Sequence, residues 1–175
     1  QGYIKDCKQA LDAGAGGVIV PMINNAEQLE SVKDAVRWPP AGKRGVAFSR
    51  ANLFGKNFDS YIKEAQQPLL IAMIEHIDAV DNIDAILQVE GLDAIFIGPY
   101  DLSASMGLTS KFDHPDFVAM MNKIKISSDK FVVPCGIHVV TPSVHEINKK
   151  LDEGYQFIAY SIDSVFFNMS VKSPY

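Results

Sequence analysis

Leu69-Leu70-Ile71-Ala72-Met73-Ile74-Glu75 and Ala94-Ile95-Phe96-Ile97-Gly98-Pro99-Tyr100-Asp101 decide how this chain reads. Each is a short apolar run without polar alternation, and each ends in a carboxylate, the second across a Gly-Pro-Tyr turn. Runs of this kind are strands covered on both faces, as in parallel sheets. α/β folds keep their sites at the carboxyl edge of such sheets. Two acids at successive strand ends therefore predict a divalent metal held by Glu75 and Asp101, because hard cations take oxygen ligands.

Outward from these two runs the chain alternates. Tyr3 to Ala13 has helical spacing and stops at Gly14; Gly17 to Val20 is a buried strand stopped by Pro21. A helix follows to Val36, with Asn25 as its cap. The stretch Trp38 to Gly45 holds two prolines and two glycines and is a loop. Helices are predicted over Phe58 to Gln66, Ile77 to Leu87, Pro115 to Ser127 and Pro142 to Leu151. A turn of helix follows Pro99, and further strands are predicted over Val132 to Gly136 and Phe157 to Tyr160. Strands joined by crossover helices run parallel. The expected class is α/β. A chain that opens inside a helical pattern at Gln1 and breaks off at Ser173-Pro174-Tyr175 predicts part of a (β/α)8 barrel, a single domain over 1–175 truncated at both ends.

With 175 residues, 47% hydrophobic and 21% charged, the composition is globular. A net charge of -5 without a dense Lys/Arg cluster argues against nucleic acid and anionic membrane as partners. No apolar stretch approaches the roughly 20 residues of a membrane span and no leader pattern opens the chain, so a soluble, cytoplasmic protein is expected. Cys7 and Cys135 are far apart and read as reduced thiols. Small molecules are the expected partners.

Two carboxylates leave a metal with open positions, which the carboxylate and keto oxygens of a 2-oxo acid fill. The carbonyl is then polarised for aldol chemistry. Gly98 and Pro99 open a helix whose free N–H groups face an anion. Taken singly, Glu75 also reads as half of an ion pair and Asp101 as a helix cap.

Leu11-Asp12-Ala13-Gly14-Ala15, Val18-Ile19-Val20-Pro21-Met22, Pro39-Pro40-Ala41-Gly42-Lys43-Arg44-Gly45-Val46, Ile74-Glu75 and Phe96-Ile97-Gly98-Pro99-Tyr100-Asp101-Leu102-Ser103-Ala104-Ser105-Met106-Gly107 together resemble the HpcH/HpaI aldolase family. That family contains metal-dependent aldolases for 2-keto-3-deoxy sugar acids and for 4-hydroxy-2-oxoheptane-1,7-dioate, and macrophomate synthase, all (β/α)8 TIM barrels. The resemblance implies that this chain holds strands four to eight. It implies Glu75 and Asp101 as ligands of Mg²⁺, Mn²⁺ or Co²⁺, backbone contacts from Tyr100 and Asp101 to pyruvate, and Asp12 as the acid that tunes a histidine base. It also implies a homohexamer that exchanges its last helix. The family's histidine base and oxyanion arginine would precede Gln1, so the chain alone is expected to be inactive and, with unpaired strand edges, prone to aggregate. Met73 stands where many members carry a glutamine that contacts substrate, and Tyr100 where many have a small residue, so that its side chain is expected to narrow the mouth or to add a hydroxyl contact.

Other candidates come with bland readings. Arg50 is a candidate for an acidic aldehyde or an interface carboxylate, and His138, at a strand end, for substrate contact beside a structural role. His76 neighbours Glu75, but adjacent strand residues point to opposite faces. His114 and His145 read as solvated, Lys43-Arg44 as an exposed basic pair, and Met120-Met121 as helix core. The expected activity is class II cleavage of a 2-keto-3-deoxy acid or a 4-hydroxy-2-oxo diacid to pyruvate and an aldehyde. The alternatives are a lyase for CoA thioesters, which needs a basic groove, and a noncatalytic relative.

Overall fold

The computed structural model describes residues 3–171; the chain's opening residue and the Ser173-Pro174-Tyr175 end lie outside them. Five strands, β1 (Gly17–Val20), β2 (Leu69–Ile74), β3 (Ala94–Ile97), β4 (Cys135–Val139) and β5 (Phe157–Tyr160), form one sheet in the order β1-β2-β3-β4-β5. Every pairing is parallel, and the sheet curls into part of a barrel. The connections are helical: α1 (Tyr3–Asp12) precedes β1, and α2 (Ala26–Val36) and α3 (Phe58–Glu64) join β1 to β2. α4 (Ile77–Asp81) and α5 (Ile83–Leu87) lead to β3, α6 (Pro99–Ser105) and α7 (Pro115–Phe131) to β4, α8 (Val144–Asp152) to β5, and α9 (Asp163–Ser170) follows. Among the described residues no helix is long and apolar enough to cross a membrane.

Strand parity explains where the core sits. Val20, Leu70, Ala72, Ile74, Ile95, Ile97, Cys135 and Ile137 point to one face and pack with Leu29, Val36, Ile83, Ile86 and Ile124 of the helical layer. The other residues, Ile19, Ile71, Met73, Phe96, Gly136, His138 and Phe157, line the concave face. There Phe157 stacks on Phe96, with ring centroids 5.7 Å apart, over Gly136, where a β-carbon would collide with the Phe157 ring.

The helices expected over Pro142 to Leu151 and Phe58 to Gln66 form over Val144–Asp152, behind a Ser143 cap, and Phe58–Glu64, and three other elements differ in kind. The fourth strand begins at Cys135 and not at Val132. Val132 adopts the left-handed conformation (φ 58°) that ends α7, its N–H bonded to the carbonyls of Asp129 and Ser128, and Pro134 has no N–H for the ladder. The helix expected over Ile77 to Leu87 is two, broken at Asn82 (φ -98°, ψ 10°), whose side-chain amide donates to the carbonyls of Asn24 and Asp78. The helix from Pro115 continues past Ser127 to Phe131, since Ser127 bonds outward to Asp84 and leaves the helical ladder intact. The Asn25 cap forms as expected, accepting from the N–H of Gln28.

Arg44 corrects a further expectation. It is buried, 2% exposed, in a satellite cluster of Trp38, Tyr61 and Ala65. Its guanidinium lies 5.6 Å from the Trp38 ring centroid and 5.9 Å from that of Tyr61, and donates to the Tyr61 hydroxyl at 3.1 Å. The flat, weakly hydrated guanidinium suits an aromatic slot in which an ammonium would lose its water.

Candidate active site

Glu75 follows β2 directly and is 6% exposed. Continuing the β2–β3 register by one residue sets it beside Gly98, and a β-carbon on Gly98 would lie 2.9 Å from Glu75 Oε2. Glycine at this position leaves the carboxylate its present place, which a larger residue would crowd. From the opposite side the N–H of Met22 donates to Glu75 Oε1 at 2.7 Å. Met22 holds a left-handed conformation (φ 53°) just past β1, so mild backbone strain aims that N–H at the carboxylate. Burial pushes the Glu75 carboxyl above its ordinary range, the Met22 hydrogen bond opposes this, and the charge of Asp101 adds to the rise.

Asp101 stands exposed in the first turn of α6, and its charge acts on Glu75. The two strand-end acids are thus brought within electrostatic reach of one another. Neither is paired with a Lys or Arg among the described residues, so the ion-pair reading of Glu75 is not met. Two like-charged oxygen donors without an organic counter-cation fit a hard divalent ion. Among the described residues no third His, Cys, Asp or Glu joins them in a metal-binding group.

Around this pair the other candidates divide. Met73 lies two residues before Glu75 on the same concave face. Tyr100 sits in the first turn of α6; its ring meets Phe112 edge-on, centroids 5.0 Å apart, and borders a cleft of about 690 Å³ between α7 and α8 that neither Glu75 nor Asp101 lines. Ser103, fully buried, accepts from the N–H of Ser110 and donates to the Tyr100 carbonyl, bracing the loop after α6. His138 is half-buried on the concave face.

The remaining candidates lie elsewhere. Asp12 ends α1, before the amino edge of the sheet, where it pairs with Lys8 while its Oδ1 is buried without a partner among the described residues. Arg50 is exposed at the start of a 3-10 segment, Arg50–Gly55. His76 caps α4 by accepting from the N–H of Asp78 and His114 caps α7 by accepting from that of Asp116; His145 is exposed. Met22 and Ser161 are the site-bordering residues that sequence reasoning passed over. Both act through backbone groups in left-handed conformations, and neither residue type signals that conformation.

Comparison with known proteins agrees with this architecture. Residues 1–169 match the model of the family described as HpcH/HpaI aldolase/citrate lyase. A 2-keto-3-deoxy-L-rhamnonate aldolase from Salmonella paratyphi B is 37% identical over 169 residues, covering 95% of this chain. The chain spans 62% of that relative's length. The crystal structure of an HpcH/HpaI aldolase/citrate lyase family protein from Burkholderia cenocepacia J2315 superposes with a TM-score of 0.86 at 30% identity, over 93% of this chain and 65% of that one. An HpcH/HpaI aldolase from Desulfitobacterium hafniense DCB-2 gives 0.83 at 26% identity, over 95% and 64%. With its five parallel strands and its paired strand-end carboxylates, the chain belongs to the HpcH/HpaI aldolase/citrate lyase family.

Proposed function

We propose that this chain carries the metal-binding side of a class II aldolase, which reversibly splits a 2-keto-3-deoxy acid or a 4-hydroxy-2-oxo diacid into pyruvate and an aldehyde. The observation that supports this most is that Glu75 and Asp101 follow neighbouring strands closely enough for the charge of Asp101 to act on Glu75, with Gly98 leaving space beside the Glu75 carboxylate. The similarity to a 2-keto-3-deoxy-L-rhamnonate aldolase supports the reaction class. In this reading the five strands take positions four to eight of a (β/α)8 barrel, and the whole protein acts as a homo-oligomer in the cytoplasm.

Glu75 and Asp101 would hold the divalent cation, Mg²⁺, Mn²⁺ or Co²⁺. When bound there, such an ion supplies the positive charge that withdraws electrons from a 2-oxo acid's carbonyl. The N–H groups of Tyr100 and Asp101, in the first turn of α6 and so without acceptors inside that helix, receive the substrate carboxylate, and Gly98 and Pro99 let the backbone approach. Met73 covers the bound acid from the concave face with a thioether that cannot donate a hydrogen bond. Met22 holds Glu75 in place. Asp12, which ends α1 before the amino edge, acts only through a histidine base supplied from outside this chain.

Exchange of the pyruvate methyl protons with deuterated solvent, followed by proton NMR on the full-length protein, tests the reading. Exchange that requires added Mg²⁺ or Mn²⁺ and stops with chelator is expected. No exchange at saturating metal would refute it.

A further inference from the structure

Among the described residues His138 is the one imidazole on the concave face, and the aldolase reading leaves it without a role. Register places it: Phe96 pairs with Gly136 and His138 with Ala159, so continuing β3–β4 by one residue sets Gly98 beside His138. Glu75, Gly98, His138 and Ala159 thus form one row across the carboxyl edge. Gly98 has no side chain to block the row. At about 4.8 Å per strand, the backbones of Glu75 and His138 are roughly 10 Å apart. That span suits the two ends of an extended acid, and among the described residues His138 joins no group of three metal-ligating side chains.

The ring of His138 is held firmly. Its centroid lies 6.4 Å from that of Phe96, which is 4% exposed and packed on Phe157. Nε2 is 3.3 Å from the carbonyl oxygen of Ser161. Ser161 is 8% exposed, left-handed (φ 59°), and fixed by its own N–H on the Val139 carbonyl at 2.7 Å. A carbonyl oxygen only accepts, so in this contact Nε2 carries the proton. In the neutral ring Nδ1 is then a lone-pair acceptor, and an acceptor pairs with a hydroxyl and repels a carboxylate.

We infer that His138 is a specificity-determining residue that accepts, through Nδ1, a hydrogen bond from a hydroxyl group on the aldehyde-derived part of the substrate. The inference rests on the aldolase reading and narrows it, favouring polyhydroxylated 2-keto-3-deoxy acids over 4-hydroxy-2-oxo diacids. It assigns His138 no part in metal binding or in forming the nucleophilic half of the reaction.

The test compares kcat/KM for cleavage of a 4-hydroxy-2-oxo acid bearing a C5 hydroxyl with that of its C5-deoxy counterpart and of a 4-hydroxy-2-oxo diacid, in the metal-loaded full-length protein and its His138→Leu and His138→Gln variants. The wild type prefers the hydroxylated acid. His138→Leu reduces that preference about three- to tenfold, the scale of one lost hydrogen bond, and His138→Gln, which keeps an acceptor, restores part of it. Pyruvate methyl exchange stays within about twofold in both variants, which also shows that they fold. Nitrogen-15 shifts of the wild-type imidazole report a protonated Nε2 and an Nδ1 signal that moves when a hydroxylated aldehyde is added. An unchanged preference in His138→Leu, a wild-type preference for the diacid, or equal loss of exchange and preference in both variants would overturn the inference while leaving the aldolase reading in place. Absence of exchange in the wild type would remove both.

Discussion

At Gly98 one hydrogen atom in place of a methyl decides whether a carboxylate is available. Gly98→Ala sets a β-carbon 2.9 Å from Glu75 Oε2 and 3.1 Å from its Cβ, below ordinary contact distance. The Glu75 side chain must shift, which disturbs its bond to the Met22 N–H. The expected result is a Mn²⁺ affinity reduced at least about tenfold, the cost of one displaced ligand at about 1.4 kcal/mol, with an unchanged far-UV circular dichroism spectrum. Burial likewise makes a thiol inert. Burial pushes Cys135 up to about 12, and Cys7 is raised for the same reason. Since the thiolate is the reactive form, iodoacetamide at pH 8 should label Cys135 only after unfolding, as mass spectrometry of native and denatured samples would show.

Between elements, the segment after Arg44 is organised by one side chain. Asn52, fully buried, accepts from the N–H groups of Ser49 and Gly55 and donates to the Ala47 carbonyl. These bonds hold Leu53 and Phe54 in left-handed conformations (φ 50° and 52°) that bulky residues avoid. Asn52→Ala loses all three bonds and should destabilise the protein by roughly 2–4 kcal/mol in urea unfolding. This segment also marks where sequence reading stopped. Strands β1, β2, β3 and β5 were legible residue by residue, because an unbroken apolar run between a glycine or turn and a polar stop has few other meanings. The site row was legible to the extent that strand ends carried charged residues. Arg44 was misread because a basic pair in a Pro-Gly loop looks exposed, and only the distant Tyr61, seventeen residues on, supplies the second wall of its slot. The start of β4 was misread because Val132 and Val133 have strand propensity while their backbone is still closing α7. Left-handed valine, methionine and serine are tertiary outcomes with no local signature.

Across the whole molecule the sheet is unevenly covered. β3 is buried along its length, whereas β1 and β5, at the two edges, expose Ile19 and Tyr160. Phe48, Phe54, Phe167 and Met169 are also more than half exposed among the described residues. Free edges beside apolar surface favour association, so light scattering of this polypeptide at micromolar concentration should report species larger than a monomer. Stability should also fall as pH rises from about 9. Cys135 stays protonated in the fold up to about 12 but ionises near its ordinary value of 9.0 when unfolded, and buried Tyr155 is raised as well. Between those values the unfolded chain binds fewer protons, which makes unfolding easier with each step in pH. Urea midpoints measured from pH 8 to 11 check the sign.

Calorimetric titration of the full-length protein with Mn²⁺ tests most directly whether Glu75 and Asp101 act on one cation. One ion per chain is predicted, with Glu75→Gln and Asp101→Asn each weakening binding at least about a hundredfold, the scale of one lost charge-assisted ligand. Binding that survives both substitutions unchanged would contradict it.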